Sequence, residues 1–362
     1  MNVDYLIVGS GLTGATIARH LADHGREVVV VDRRPQIGGN VSDSVHPSGI
    51  RVHTYGPHCF RTNSEELWEY VNRFGGFCPF DGLRVKSLVD GAYEDWPITE
   101  SCIRRLVGGT WTPEYRGVPG NFEEASLSMM PRVIYDKFVK CYTEKQWGVP
   151  AHTLSADLAG RFCIRTDKEP RLMQYKHQGL PEEGYSEWMG NMLGGIPVLL
   201  NFDYLQNREK CRARRLLVFT GAIDEFFDYR FGKLCYRGQI REHFYQTDVN
   251  YAQPCFQVNN PQSENGPNVR TIEWKHMMRA EDAQSIRGTV LTTERTVTPD
   301  LPDLYEYPFP DVANRKLFEQ YSQLAVELPG VLICGRLGEY RYYDMDQAIV
   351  RAQVLARKVL GS

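Results

Sequence analysis

Residues 4–32 constrain this chain more than any other stretch. Asp4-Tyr5-Leu6-Ile7-Val8 is an apolar run of strand formers, followed by Gly9-Ser10-Gly11-Leu12-Thr13-Gly14 and an amphipathic run over 15–24. A second apolar run over Val28–Val31 ends in Asp32. The order is strand, Gly-rich turn, helix, strand, acid. Gly9 suits the tight turn, Gly11 the close approach of backbone to a pyrophosphate, and Gly14 the packing of helix on sheet. The first N–H groups of the helix point at phosphate, where the helix dipole favours negative charge. An acid about 20 residues on can accept hydrogen bonds from a ribose. The spacing therefore predicts a dinucleotide-binding fold.

The rest of the composition narrows the class. A chain of 362 residues can bury a large core and divide into two or more domains. The net charge of −3 gives no electrostatic case for nucleic acid or an anionic membrane. With no apolar run of about 18 residues, no membrane insertion is expected. The start lacks the basic and apolar regions of a secretory signal. Nine cysteines without a CxxC pair read as reduced thiols, so the expectation is a cytoplasmic protein with no structural zinc. His20 and His24 share a helical face, but no further ligand set joins them, and no metal is expected.

After Asp32 comes Arg33, then Gly38-Gly39-Asn40, which lets backbone pass close to a bulky group and fits a flavin dinucleotide better than a nicotinamide one. Residues 52–63 form a polar loop, Val52-His53-Thr54-Tyr55-Gly56-Pro57-His58-Cys59-Phe60-Arg61-Thr62-Asn63, with His58 and Arg61 as candidates for function. Ser64 can cap the helix that follows. Alternation over 85–93 around Asp90-Gly91 signals a hairpin. Residues 97–149 read as helical, broken over 108–120, and end in Tyr142-Thr143-Glu144-Lys145-Gln146-Trp147-Gly148; Trp147 can border a pocket or plug a core. Arg161, Arg165, Lys168, Arg171 and Lys176 form a cation-dense segment that suits phosphate, or a solvated surface. A buried strand over 214–219 runs into Thr220-Gly221. Short alternating segments at 238–244, 249–257, 269–274 and 289–293 predict an antiparallel sheet. A helix over 314–326, the strand Val331-Leu332-Ile333-Cys334, a charged turn from Gly335 to Gln347 and a long helix close the chain. The two ends of the chain thus build one domain, with the middle inserted.

These blocks, taken together, resemble the flavin-dependent UDP-galactopyranose mutases of bacteria over nearly the full length. The resemblance rests on Gly9-Ser10-Gly11, Gly38-Gly39-Asn40, Tyr55-Gly56-Pro57-His58, the 142–148 segment, Thr220-Gly221 with Phe227-Asp228-Tyr229-Arg230-Phe231-Gly232, and Gly335-Arg336-Leu337 with Tyr342-Tyr343-Asp344-Met345. It implies an α/β fold: a Rossmann-like FAD-binding domain (1–75, 190–235, 315–362), an inserted helical domain (100–160) and an antiparallel β-sheet substrate domain (76–99, 161–189, 236–314). It further implies a homodimer, a nucleotide-sugar substrate, and FAD that works reduced, as FADH−, with an external reductant such as NAD(P)H. The implied reaction interconverts the pyranose and furanose forms of UDP-galactose without net redox change. In it the reduced flavin N5 attacks the anomeric carbon and the nucleotide diphosphate leaves.

The resemblance also assigns residues. His58 lies beside the flavin. Arg161 and Arg270 lie near substrate or diphosphate, and Tyr307 and Tyr342 hydrogen-bond the diphosphate. Trp147 borders the sugar pocket and Tyr142 the uridine, with Arg165 and Arg171 as further substrate contacts. Gly9, Gly11, Gly14, Asp32, Arg33, Gly39, Asn40, Thr220, Arg336, Asp344 and Met345 hold the cofactor. Two departures stand out. Arg61 replaces a second histidine, and its longer reach and extra donors suit a 2-acetamido carbonyl, which admits UDP-N-acetylgalactosamine. Pro170-Arg171-Leu172-Met173 replaces Asn-Asn-Tyr-Phe, which leaves the base open. A flavin oxidoreductase of the amine-oxidase type, and an inactive nucleotide-sugar binder, share the Gly-rich fingerprint and remain as alternatives.

Overall fold

The computed structural model describes residues 1–80, 83–162, 164, 165, 169 and 171–361, together with the backbone but not the side chain of Arg161. Lys168 and Pro170 lie outside the described residues.

A five-stranded parallel sheet takes its strands from both halves of the chain, in the order Val198–Leu199, Val28–Val31, Asn2–Val8, Arg212–Phe219, Val331–Ile333. Its central strands read as nearly continuous apolar runs because helices and loops cover both faces. Leu6, Ile7, Val30, Val218 and Phe219 are fully buried. The helices Leu12–Asp23 and Met345–Gly361 pack together, joining Ala15, Ala18 and Leu21 to Ile349, Ala352 and Ala356 in one core. The N-terminal strand and the C-terminal helix therefore serve the same sheet, as the sequence predicts.

A seven-stranded sheet runs Tyr307–Pro308, Tyr236–Gln246, Thr289–Val297, Arg270–Glu273, Gln257–Asn259, Val85–Val89, Ala92–Trp96. The expected hairpin around Asp90-Gly91 is its outer pair. The sheet is antiparallel except where Gln257–Asn259 lies parallel to Val85–Val89. The segment read as a strand over 249–257 is a loop until Gln257. There the buried Glu273 carboxylate accepts from the N–H groups of Ala252 (2.9 Å) and Gln253 (2.7 Å), and those donors are lost to a sheet ladder. Helices Glu100–Val107, Phe122–Leu127 and Cys141–Trp147 pack around Ile103, Phe122, Ile134, Tyr135 and Phe138.

Candidate functional site

Two cavities adjoin, one lined by Val8 and Phe219 at the ends of parallel strands, the other by Val85, Gln257, Arg270 and Tyr307 of the seven-stranded sheet. The first is built on the Gly-rich turn. Gly9 has φ +106°, and a Cβ on Gly14 would stand 2.0 Å from the Gly9 carbonyl oxygen, so turn and helix approach as closely as backbone permits. The helix Leu12–Asp23 starts at Gly11 with no side-chain cap, which leaves its first N–H groups for a ligand. Asp32 Oδ2 accepts from Ser10 N (2.7 Å) and Ser10 Oγ (2.6 Å), and Oδ1 from Arg34 N (2.9 Å). The acid thus braces the turn, and the remaining lone pairs on its oxygens can still receive a hydroxyl. Arg33 is held by a two-pronged pair with Glu225, both contacts 2.9 Å. Arg34 donates to Asn40 Oδ1 (2.9 Å) and stacks 4.4 Å over Tyr55.

Gly9, Gly11, Asp32, Arg33, Gly39, Asn40, Thr220, Arg336 and Met345 all line this cavity. Its wall at Gly39 is bare backbone, where a Cβ would come within 2.9 Å of Gly11 Cα. A long cradle with uncapped helix N–H groups at one end and Gly-Gly backbone beside it fits a dinucleotide carrying a bulky ring.

The second cavity, of about 240 Å³, meets the first at Asn40, His58, Arg336 and Met345, which line both. Arg61, Arg270, Glu306, Tyr307, Tyr342, Asp344 and Asp346 form its polar side. Tyr307 and Tyr342 stack in parallel with centroids 5.8 Å apart, and the Arg336 guanidinium lies 5.0 Å from the Tyr342 ring. Arg336 is aimed by the carbonyls of Tyr343 (2.7 Å) and Glu306 (3.2 Å). Arg61 Nη2 lies 3.6 Å from Asp344 Oδ1, and its guanidinium sits 5.6 Å from the Tyr175 ring centroid.

Sheet register explains how Arg270 is held. Arg241, Glu294 and Arg270 occupy neighbouring positions on three adjacent strands. Glu294 accepts from Arg241 Nε at 2.8 Å and from Arg270 Nε, and it is fully buried. Arg241 also forks onto Glu306 (2.7 and 3.0 Å), while Arg270 Nη1 reaches Gln257 Oε1 (3.2 Å). Burial works to raise the Glu294 pKa, but the Arg270 and Arg241 charges outweigh it and hold the carboxyl below its ordinary value. Arg241, Glu294 and Glu306 were not legible as site residues. Alternation marks an inward face, but which charges meet across strands needs the register.

The other expected substrate residues stand elsewhere. Tyr142, Trp147, Arg165 and Arg171 are not among the described lining residues of the second cavity. Tyr142 is partly buried; desolvation raises the pKa of its hydroxyl, on which the nearby Arg270 and Glu294 charges also act. Trp147 packs edge-on to Phe309 with centroids 5.8 Å apart, in the helical core. Arg171 forks onto Glu169, both contacts 2.7 Å, and Arg165 donates to the carbonyls of Leu172 (2.9 Å) and Glu169 (3.3 Å). The Arg161 side chain lies outside the described residues.

His58 is the titratable group at the junction. Its Nδ1 donates to Gly56 O (2.8 Å), and its backbone N–H donates to His53 Nδ1 (3.0 Å). Burial lowers the pKa of His58 to about 3, helped by charge from His53 and Arg336; burial lowers that of His53 to about 3, helped by Arg51. The His58 ring is therefore neutral, with Nε2 an acceptor. In the unfolded chain both rings bind a proton near pH 6.5, whereas folded they resist to about 3. Between those values the unfolded state holds more protons, so each ring subtracts about 1.4 kcal/mol per pH unit as pH falls below 6.5. The urea midpoint is expected to change little just above pH 6.5 and to drop below it, with a shallower drop in His53→Gln. A midpoint that stays flat through that window contradicts the assignment.

Comparison with known proteins agrees with this architecture. The family model described as UDP-galactopyranose mutase matches residues 137–342, and a Rossmann-like NAD(P)-binding domain model matches 7–74. A dTDP-fucopyranose mutase of Escherichia coli is 33% identical over 96% of this chain and 96% of its own length. A probable UDP-galactopyranose mutase of Klebsiella pneumoniae is 33% identical over 100% of this chain and 96% of its own. A crystal structure of reduced UDP-galactopyranose mutase superposes with a TM-score of 0.77 at 15% identity, covering 100% of this chain and 94% of that one, which speaks to the fold. With a family model spanning more than half the chain and full-length relatives at this identity, the chain belongs to the UDP-galactopyranose mutase family, a family of isomerases.

Proposed function

We propose that this protein interconverts the pyranose and furanose forms of a nucleotide sugar of the galactose series, UDP-galactose or UDP-N-acetylgalactosamine, with FAD bound in its reduced state. The observation that carries this reading is the meeting of the two cavities at Asn40, His58, Arg336 and Met345, with Arg270, Tyr307 and Tyr342 also lining the second. When bound, the reduced flavin supplies N5 as a nucleophile for the anomeric carbon. The residues of the chain do the rest. Arg270, Tyr307 and Tyr342 hold the diphosphate and take up the charge that grows on it as the anomeric bond breaks. Partial burial of the Arg270 guanidinium strengthens that interaction, and Glu294 keeps it aimed. Neutral His58 offers the junction an acceptor without adding a charge. The same reading assigns Gly9, Gly11, Gly14, Asp32, Arg33, Gly39, Asn40, Thr220, Asp344 and Met345 to the cofactor, and Arg161, Arg165, Arg171, Tyr142 and Trp147 to the substrate. A homodimer and an electron donor such as NAD(P)H rest on the family resemblance, and a cytoplasmic setting on the unpatterned cysteines.

Product should form without oxygen or nicotinamide being consumed in step with it. Consumption of one equivalent per turnover would make the protein a redox enzyme instead. Arg61 is assigned to a 2-acetamido carbonyl, and its neighbour Asp344 positions the guanidinium at the cavity. Arg61→His is expected to lower the preference for the N-acetyl sugar roughly tenfold, the value of about one charge-assisted hydrogen bond. Competing turnover of the two sugars measures this, and an unchanged ratio sinks the assignment.

A further inference from the structure

His53 has no part in the assignments to cofactor or substrate. It lines a third cavity, of about 520 Å³, and neither of the other two, whereas His58 lines those two and not the third. One hydrogen bond crosses this partition: the His58 N–H donates to His53 Nδ1 (3.0 Å). A backbone N–H can only donate, so Nδ1 is the unprotonated nitrogen and the ring carries its proton on Nε2.

The acceptor is fixed in place. His53 ends the strand Arg51–His53 and pairs with Asp43 across the hairpin. The Asp43 carboxylate accepts from the N–H groups of Tyr185 (2.7 Å) and Ser186 (3.0 Å). The His53 side chain is buried, with the Tyr185 ring edge-on at 5.4 Å and the Trp274 ring at 5.1 Å between centroids. Trp274 is itself pinned, its Nε1 donating to Thr292 Oγ1 (2.6 Å). An imidazole packed between two fixed rings keeps one orientation.

The loop that carries His58 is held from the other side as well. Gly56 has φ +88°, and a Cβ there would stand 2.8 Å from Glu294 Oε1 and 2.9 Å from Arg241 Nη2. The loop backbone thus rests directly on the ion network, and the His58 ring folds back to donate from Nδ1 to Gly56 O (2.8 Å). Without an acceptor at position 53, the part-buried His58 N–H loses its partner, and the Pro57–His58 peptide turns to find another. That peptide is trans, so its carbonyl points away from its N–H, and a turn moves the Pro57 carbonyl and the His58 ring together. Both residues line the second cavity.

Resting on the mutase reading above, we propose that His53 is a positioning residue for the reaction. It contacts neither the flavin nor the nucleotide sugar, and it acts by fixing the Pro57–His58 peptide where the two cavities meet.

The test compares His53→Asn with His53→Leu in the flavin-loaded protein. The two side chains have nearly the same shape and both lack the ring, but only asparagine offers an oxygen close to where Nδ1 stands. Hydrogen exchange of the peptide covering 54–60 is expected to quicken about tenfold in His53→Leu and to stay within about threefold of wild type in His53→Asn. On the dithionite-reduced enzyme, kcat is expected to fall roughly 10- to 100-fold in His53→Leu, the cost of a misplacement of about 1 Å. KM should change less than about threefold, because Arg270, Tyr307 and Tyr342 are untouched, and His53→Asn should recover most of kcat. Equal losses in the two variants, or full kcat and unchanged exchange in His53→Leu, make His53 a core residue only and overturn the proposal. Should His53→Leu not fold, His53→Gln, whose amide reaches past the Nδ1 position, takes its place. If the wild type converts no nucleotide sugar, the mutase reading fails, and the exchange comparison by itself decides whether His53 holds the loop.

Discussion

Arg270→Ala is expected to lower kcat/KM by roughly 10²- to 10³-fold, the loss seen when one preorganised donor is removed from developing charge. Arg270 lines the second cavity, and its guanidinium is fixed through Nε on Glu294 and Nη1 on Gln257 at 3.2 Å. A fixed guanidinium needs no reorganisation as the diphosphate leaves, so most of the effect should appear in kcat. Arg270→Lys keeps the charge but not the two-sided hold, and should recover only part of the rate. A loss below about tenfold in the alanine variant would remove Arg270 from the account.

Glu294→Ala is expected to destabilise the protein by about 3–5 kcal/mol. The wild-type network balances two arginines, Arg241 and Arg270, against two glutamates, Glu294 and Glu306. With Glu294 removed, the buried Arg241 and the partly buried Arg270 share one carboxylate, and the surplus charge loses the partner that offset its desolvation. Glu294 has its pKa held below the ordinary carboxylate value, so its contribution is complete above about pH 4.5 and lost as pH falls from there toward the folded value. Urea unfolding of the variant at neutral pH measures the first effect. A cost under about 1 kcal/mol would mean that water already reaches the pair, as at surface ion pairs. In that case Arg270 is not rigidly held.

The dinucleotide half of the site was legible because its determinants are local. Gly9, Gly14 and Asp32 act within one strand–turn–helix–strand unit, and sequence spacing alone places them. Two features there escaped: Asp32 spends much of its capacity on Ser10, and Arg34 links Asn40 to Tyr55. The substrate half depends on contacts between distant segments. Arg241, Arg270 and Glu294 are brought together by sheet register. The lining of the second cavity joins residues from the 59, 83, 172 and 256 regions. The cation-dense segment over 161–178 suited phosphate or a solvated surface alike, and the fork of Arg171 onto Glu169 two positions away is a local pairing that composition cannot reveal. Trp147 was open between pocket and core, and its edge-on packing against Phe309 in the helical cluster joins segments far apart in the sequence. The strand expected over 249–257 failed because Glu273, from a later strand, takes the donors of Ala252 and Gln253.

On the proposed function, reduced FAD and this cation-lined cavity together carry out ring interconversion. The most direct measurement is turnover by the purified protein in both oxidation states. The visible spectrum establishes the flavin. The protein is then assayed oxidised, and again after dithionite reduction under argon, with UDP-galactofuranose and its N-acetyl analogue, each conversion followed by chromatography. The account predicts a yellow protein that forms the pyranose isomer only when reduced, with no net oxidation of the sugar. Equal rates in the oxidised and reduced states, or a reduced flavoprotein that converts none of these sugars, would contradict it.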